Sequence, residues 1–361
     1  MRPRIGIIGA GNIAGAHGRA IHYLTKEGII DGELVAVCDS DPERRESFAA
    51  AARASHTFED PAELIASPEV NTVYVCTPTV FHREQATLVL EAGKALFCEK
   101  PLAFNAADAV AIRDAAAESG VTHQVGLVLR FSPVISVLRD LLQDEALGRP
   151  MAAVMVDDQF FPIRGHYNST WRGDVRLVGA GTLLEHAIHD VDVLCWYFGR
   201  VKRVFGVTRH FFEKEGVEDL SSETLEFENG AVVNHVSVWH NLDHRGSSRR
   251  MHVICENGQF SWEDDDWAAP IRTETNELGR KDEIPSEEVV ARYLRSVDIP
   301  ERLRERATFS GFSYVLENYA FLKAVTDDRP GFPDFDTAVY AHEVVDAIYE
   351  SARTGLPVEM S

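Results

Sequence analysis

Six residues near the start constrain this chain more than any others. Gly9-Ala10-Gly11-Asn12-Ile13-Ala14 follows the apolar run Arg4–Gly9, which reads as a short buried strand, and opens Asn12–Glu27, which reads as a helix. In a strand–turn–helix of this kind Gly9 allows the tight turn, Gly11 lets the backbone approach a pyrophosphate, and a residue as small as Ala14 lets helix and strand pack closely. The helix N-terminus then offers unpaired N–H groups and a favourable dipole to phosphates. The string alone is a weak signal, and an ordinary Gly-rich turn is its plain alternative. Here, however, a second apolar run, Glu33–Asp39, ends on an acid about 25 residues past Ala14, near the spacing of about 20 at which such an acid meets the ribose hydroxyls. Asp39 would repel a 2′-phosphate, which favours NAD over NADP. Arg44 and Arg45, one turn further on, act in the opposite sense unless they are only surface residues of an exposed helix.

The alternation continues. Asp41-Pro42 caps and opens a helix running to Ala52. Asn71–Thr77 reads as strand, His82–Ala92 as helix ended by Gly93, Ala95–Glu99 as strand, Asn105–Ser119 as helix ended by Gly120, and Val121–Phe131 as strand. Continuous Val/Ile/Leu-rich runs separated by helices predict a parallel sheet covered on both faces. Beyond about residue 132 the pattern changes. Pro133–Gly148 reads as helix, Met151–Phe160 as strand, and Thr182–Phe198 as one helix. Partly alternating strands follow at Val201–Phe212, Glu223–Glu228, Ala231–Trp239, Arg249–Glu256 and Gln259–Glu263, with tight-turn signals at Asn229-Gly230 and Asn257-Gly258. This predicts a mostly antiparallel sheet with helices on one side. Residues 264–308 are acidic and carry no clear pattern, and two helices, Phe312–Thr326 and Thr337–Thr354, close the chain.

At 361 residues the chain is long enough for about two domains. Its formal net charge of −21 argues against a protein that grips nucleic acid or an anionic membrane surface. No run approaches the roughly 18 apolar residues of a membrane helix, and MRPRIGIIGAGN reads as a first strand rather than a signal peptide. The five cysteines are sparse, odd in number and without a CxxC, which predicts buried free thiols in a reducing cytoplasm.

Two constellations carry candidate chemistry. Glu99-Lys100-Pro101 follows the run ALFC, and the carboxyl ends of parallel strands are where such sheets bind ligands. Lys100 there points a cation at the cofactor crevice, or else is a surface lysine at a strand end. Thr77, Pro78 and His82 border the same end, or serve only as turn and cap. In the predicted helix 182–198, Glu185, His189, Asp192 and Trp196 are spaced to share one face. That face is either catalytic or merely solvated.

The chain resembles the Gfo/Idh/MocA oxidoreductases in GAGNIAGAH (Gly9–His17), TPTVFH (Thr77–His82), EAGKALFCEKPLA (Glu91–Ala103), WRGD (Trp171–Asp174), GAGTLLEHAIHDVD (Gly179–Asp192) and SARTGLPVEM (Ser351–Met360). The resemblance covers essentially the whole chain. It implies an α/β protein: an N-terminal Rossmann doubly wound parallel sheet, residues 1–125, that binds NAD(P). A C-terminal α/β domain, residues 126–361, carries a large, mostly antiparallel open sheet for substrate binding and for homodimers or homotetramers. It also implies that His189 is the catalytic base, Lys100 stabilises the developing alkoxide, and Glu185 stands where the family usually has Asp.

The implied cofactor-binding residues are Gly9, Gly11, Asn12, Ile13, Asp39, Thr77, Pro78, His82, Glu99 and Lys100. The substrate residues are Arg130, Trp171, Arg172, Glu185 and His189, with His240, Asn241, His244 and Arg245 as a further polar turn that reads equally as an exposed hairpin. No metal is expected: Glu185, His186 and His189 could hold one, but no supporting pattern accompanies them. The expected reaction is hydride transfer between a nicotinamide and a secondary alcohol or ketone of a sugar or cyclic polyol, for which NAD is expected and NADP is the lesser alternative. Three other readings share the fold: an NAD-retaining enzyme that uses transient oxidation for elimination or glycoside cleavage, a non-catalytic dinucleotide-sensing regulator, and an aromatic dihydrodiol dehydrogenase.

Overall fold

The computed structural model describes residues 1–360 except 166, 243, 245, 264–267, 277–280 and 306–310, and all side chains within that set except that of Lys281. The chain divides into two compact units, one of Met1–Val128 with Gly311–Tyr340 and one of Leu129–Ser310 with Ala341–Ser361. The expected boundary near residue 125 lies close to the first crossing, but residues 311–340, expected in the second domain, belong with the first unit.

The first unit is built on β1 (Arg4–Ile8), β2 (Glu33–Cys38), β3 (His56–Phe58), β4 (Thr72–Val75), β5 (Ala95–Glu99) and β6 (His123–Gly126), ordered β3-β2-β1-β4-β5-β6 with every pairing parallel. Helices α1 (Asn12–Lys26), α2 (Pro42–Ala52), α3 (Pro61–Ala66), α4 (His82–Glu91) and α5 (Ala106–Ser119) connect the strands. Asp41 caps α2 as expected, accepting from the Glu43 and Arg44 N–H groups. The central strands read as apolar runs because both of their faces are buried: Ile5, Ile7, Val73, Val75, Leu96 and Cys98 are all inaccessible. The strand order reverses beside β1, which places the carboxyl ends of β1, β4 and β5 round the crevice where this architecture takes ligands. Strand β3 escaped the sequence reading because three residues, two of them exposed, carry no periodic signal.

The second unit holds α6 (Pro133–Leu141), β7 (Pro150–Phe160), α7 (Val175–Val178), α8 (Thr182–Glu185), α9 (Ile188–Phe198), β8 (Val201–Arg209), β9 (Leu220–Phe227), β10 (Val232–His240), β11 (Ser248–Cys255), β12 (Gly258–Glu263), β13 (Ile271–Thr275), β14 (Lys281–Ile284), α10 (Ser286–Ser296), α11 (Glu301–Arg304) and β15 (Val358–Glu359). Among the described residues its nine strands run β14-β13-β12-β11-β7-β10-β9-β8-β15, all antiparallel except β7 with β10. This is the mostly antiparallel sheet expected. The chain closes with α12 (Phe312–Asp327), in the first unit, and α13 (Phe335–Thr354), whose residues fall in both. Strands β13 and β14 and helices α10 and α11 lie in the segment the sequence left unassigned.

Two expected elements are shorter. The strand through Phe131 ends at Gly126 and gives way to a 3-10 turn at Val128–Phe131, and the helix to Gly148 ends at Leu141. More consequential, the single helix expected at 182–198 is two helices, broken at His186-Ala187. At the break the Ala187 N–H reaches back five residues to the Thr182 carbonyl, at 2.8 Å, a π-type turn that absorbs an extra residue. The shared face of Glu185 and His189 on one continuous helix is therefore corrected.

Candidate active site

In the first unit the glycine loop has the geometry that its sequence demands. Gly9 adopts φ +92°, and a Cβ there would lie 2.7 Å from the Cys76 carbonyl oxygen, so both the backbone angle and the approach of β4 require glycine. Gly11 is different. It caps α1 with no side-chain hydrogen bond, and a Cβ there would meet nothing within 4 Å. Packing inside the protein does not need this glycine, and the space a side chain would fill there is open to an anion at the start of α1. Ala14 is fully buried against the sheet. The residues thus fit a dinucleotide pyrophosphate on an observation independent of the motif.

Asp39 lies beyond the carboxyl end of β2. Its Oδ2 accepts from the Ala10 N–H at 2.8 Å and its Oδ1 from the Asp41 N–H at 2.9 Å, so the carboxylate is oriented before any ribose arrives. Arg44 Nη2 stands 3.6 Å from Asp39 Oδ1, and Arg45 Nη1 donates to the Asp39 carbonyl. Arg44 keeps a largely exposed side chain beside the acid, while Arg45 is engaged with the backbone.

Thr77 and Pro78 follow β4. Thr77 Oγ1 donates to Gln85 Oε1 at 2.7 Å, and Pro78 begins a short 3-10 turn. His82 is buried, and its ring bridges two carbonyl oxygens, Nδ1 to Pro101 O and Nε2 to Thr77 O, each at 2.8 Å. Both contacts are hydrogen bonds only when both nitrogens carry protons. The structure therefore uses His82 to brace the end of β4 against the turn after Lys100. Glu99 closes β5 and accepts from the Lys100 N–H at 3.1 Å.

In the second unit, Gly181 and Glu218 set the approach to α8. A Cβ on Gly181 would collide with the Glu218 carbonyl oxygen at 1.8 Å. The Glu218 carboxylate accepts from the Gly181 N–H at 2.7 Å and the Leu183 N–H at 3.0 Å, and Tyr349 Oη donates to it at 2.8 Å. Sequence reading missed Glu218 altogether, because its partner residues are distant in the chain.

At the end of α8, Glu185 is buried and accepts from Arg172 Nε at 2.8 Å. Arg172 also donates to Ser169 Oγ and lies over the Trp171 ring at 4.7 Å from its centroid. Trp171, Arg172 and Glu185 thus form one connected group. His189 sits in the first turn of α9 with 8% of its surface exposed. Arg130 is laid on Asp192 and stacks at 4.9 Å on Trp196, whose ring also meets Arg139 at 4.7 Å. Of the polar turn, His240 Nε2 lies 3.5 Å from Asp158 Oδ1 and Asn241 accepts from Arg164. His244 is exposed, and Arg245 lies outside the described residues.

Around the break between α8 and α9 the sheet face is unusually polar. Register pairs Arg249 with Asp157 and His235 with Glu223, all on the buried face. Arg249 Nε donates to Asp190 Oδ1 at 2.6 Å, and His186 Nε2 lies 2.8 Å from Asp157 Oδ2. Burial pushes the Asp157 carboxyl up against the pull of Arg249 and His186. Burial works in the same direction on Asp190, but the Arg249 charge, then His235 and His186, outweigh it and lower its pKa. Among the described residues no helix is long and apolar enough to cross a membrane.

The comparisons agree with this architecture. Residues 3–127 match the model of the oxidoreductase family with NAD-binding Rossmann fold, and residues 135–261 match the GFO/IDH/MocA C-terminal domain. A 1,5-anhydro-D-fructose reductase of Ensifer adhaerens is 31% identical over 63% of this chain and 67% of that protein. An inositol 2-dehydrogenase of Acidothermus cellulolyticus is 30% identical over 71% of each chain. A levoglucosan dehydrogenase in complex with NADH superposes with a TM-score of 0.85 over the full length of both chains at 21% identity, a likeness of fold. With both domains matched, the chain belongs to the Gfo/Idh/MocA family of NAD-binding oxidoreductases.

Proposed function

We propose that this oxidoreductase transfers a hydride between NAD and a secondary alcohol or ketone of an uncharged sugar or cyclic polyol. The observation that carries the reading is Lys100, which directly follows the carboxyl end of β5 in the sheet whose first strand ends in the Gly9–Gly11 loop. NAD, when bound, supplies the hydride acceptor at its nicotinamide C4. Gly11 with the N–H groups of Asn12 and Ile13 would hold the pyrophosphate, and Asp39 the adenosine ribose. His189 takes the hydroxyl proton as general base, a role suited to a side chain whose charge changes near neutrality. Lys100 is assigned the role of stabilising the developing alkoxide charge. Glu185 sets the Arg172–Trp171 group, against which a sugar ring can rest.

The absence of charge on the substrate is supported by the pairing of the arginines. Arg172 is neutralised by Glu185, Arg130 by Asp192 and Arg249 by Asp190. An anionic sugar would have to compete with each of these carboxylates.

The outer face of the nine-stranded sheet exposes Val154, Phe205, Val232 and Ile254 on strands β7, β8, β10 and β11, which supports a homo-oligomer through that face. The five free cysteines suit a reducing, cytoplasmic setting.

The test is NADH formation with myo-inositol, levoglucosan, D-glucose and methyl glucosides, using wild type, Lys100→Ala and His189→Ala. Each substitution should lower kcat by about 10²–10⁴-fold. Full turnover in both variants would discard the assignment, and tight NAD binding with no net NADH from any alcohol would favour the cofactor-retaining alternative.

A further inference from the structure

Behind Lys100 the first unit holds a hydrogen-bonded chain whose polarity can be read residue by residue. Asn318, fully buried on α12, has its Nδ2 2.8 Å from the Tyr314 carbonyl and 2.9 Å from His17 Nδ1. A carbonyl can only accept, so the Asn318 atom facing it is the amide nitrogen. That nitrogen donates its second proton to His17 Nδ1, which is therefore the acceptor of the ring. His17 is neutral in this arrangement and carries its proton on Nε2. Nε2 lies 2.7 Å from Glu99 Oε1 and donates to it, while Glu99 Oε2 accepts from the Lys100 N–H at 3.1 Å. Both Glu99 oxygens are acceptors, the pattern of a carboxylate.

Two further features show that this arrangement is built in. The His17 ring is fully buried and set edge-on to Phe97 at 4.9 Å and Tyr314 at 6.0 Å, with Tyr74 at 5.4 Å. Gly126 pairs with Glu99 in the β5–β6 register, and a Cβ there would lie 2.9 Å from the Glu99 carboxyl carbon, so the space is kept for that carboxylate. The neighbouring Glu317 is also fully buried. Burial and the charge of Glu99 push its carboxyl pKa well above the usual range.

We propose that His17, oriented by Asn318, is a positioning residue for Lys100: it pins the Glu99 carboxylate, which in turn fixes the Lys100 backbone and so the direction in which its side chain leaves the strand. The inference rests on the reading that Lys100 acts on the reacting oxygen. A small displacement of such a group lowers turnover more than binding.

The test uses the full chain with NAD and whichever of myo-inositol, levoglucosan, D-glucose and methyl glucosides reduces it fastest. His17→Leu should lower kcat by about tenfold or more, with KM for NAD and for the alcohol changed by less than about threefold. His17→Gln supplies an N–H for Glu99 and an acceptor for Asn318, and should recover most of the loss. In a Lys100→Ala background His17→Leu should cost less than about twofold, because residues acting as one unit are not additive.

Additive losses, or a His17→Gln no better than His17→Leu with both folded, would overturn the proposal. Should His17→Leu fail to fold, 15N-histidine spectra of the wild type decide independently of activity: the His17 signals must show an unprotonated Nδ1 and an N–H at Nε2, and the reverse tautomer or a doubly protonated ring rejects the chain of contacts. If Lys100→Ala itself keeps full turnover, the assignment of Lys100 fails. If Lys100→Ala is inactive and His17→Leu is not, the positioning role alone fails.

Discussion

Arg130 lies on Asp192 through two parallel hydrogen bonds, Nε to Oδ2 at 2.8 Å and Nη2 to Oδ1 at 2.7 Å, with the guanidinium stacked on Trp196. Both side chains are nearly inaccessible, at 9% and 3%. The fork geometry marks Arg130 as a strut between the turn after β6 and helix α9 rather than a free ligand for substrate. Burial raises the Asp192 carboxyl pKa, and Arg130 opposes that rise. Arg130→Met should therefore lose about 3–5 kcal/mol near neutrality, the cost of stranding a buried charge. The deficit should shrink as pH falls toward 4, where Asp192 accepts a proton more readily. Urea unfolding at pH 7 and pH 4.5 checks both points. Unchanged stability with a raised KM would return Arg130 to the substrate.

Asp39 is fixed by the Ala10 and Asp41 N–H groups before a nucleotide binds, and Arg44 stands 3.6 Å away. Asp39→Ser removes a charged acceptor and releases Arg44 toward a 2′-phosphate. Hydrogen bonds to a charged group contribute about 1.5–3 kcal/mol, so NAD affinity should fall by about 10–100-fold. NADP affinity should rise, and Arg44→Ala should cancel that gain. Calorimetric titration of both nucleotides reads the ratio. A variant that still prefers NAD to the wild-type extent would show that Asp39 does not discriminate.

These two cases mark what was legible in the sequence. The Rossmann half was readable because its signals are local: apolar strands, Gly9 and Gly11, the Asp41 cap and an acid at the end of β2 all lie within a few residues of what they determine. Arg130, by contrast, was expected to face substrate, since nothing local reveals a partner more than sixty residues away on α9. The break at His186-Ala187 was hidden for the same reason. Helical spacing from 182 to 198 is unbroken in the sequence, and the polar groups packed at the break, Asp157 and Arg249, come from β7 and β11. Glu218, which caps α8, sits in a loop before β9 with no periodic signal. Local grammar gives elements and ligand loops; it does not give the long-range pairings that decide which polar residues are free to act.

Glu185 offers a direct test of such a pairing. Its Oε1 meets Arg172 Nε at 2.8 Å in a nearly buried site. Shortening the acid, Glu185→Asp, withdraws the carboxylate by roughly a methylene and stretches that contact past hydrogen-bond reach. The expected loss is about 1.5–3 kcal/mol in kcat/KM, or about 10–100-fold. In an Arg172→Met background the same substitution should cost far less. Equal costs in both backgrounds would mean that Glu185 acts on the substrate independently of Arg172.

His235 carries the pH dependence. It is fully buried, bonded through Nδ1 to Glu223, with Nε2 at 3.6 Å from Asp190 Oδ2, too long for a hydrogen bond but close enough for charge attraction. Around it stand Asp190 and Glu223 as anions, and Arg249, paired with Asp190, as a competing cation. Burial alone would lower the imidazole pKa. The Glu223 charge and the contacts to Asp190 and Glu223 outweigh it and raise the pKa to about 10. In the unfolded chain the ring titrates near about 6.5. The proton is thus held more tightly in the folded protein, so the stabilisation is complete below about pH 6.5 and is lost as pH rises toward 10. At about 1.4 kcal/mol per pH unit for one proton, the loss across that window is several kcal/mol. His235→Gln should be much less stable than wild type at pH 6.5, and the gap should close steadily through pH 8 and 9.5. Cysteines and tyrosines that titrate in alkali are common to both proteins and cancel in the difference. Denaturant unfolding of the pair at the three pH values gives the slope directly, and parallel curves would show that His235 is not held as a buried cation.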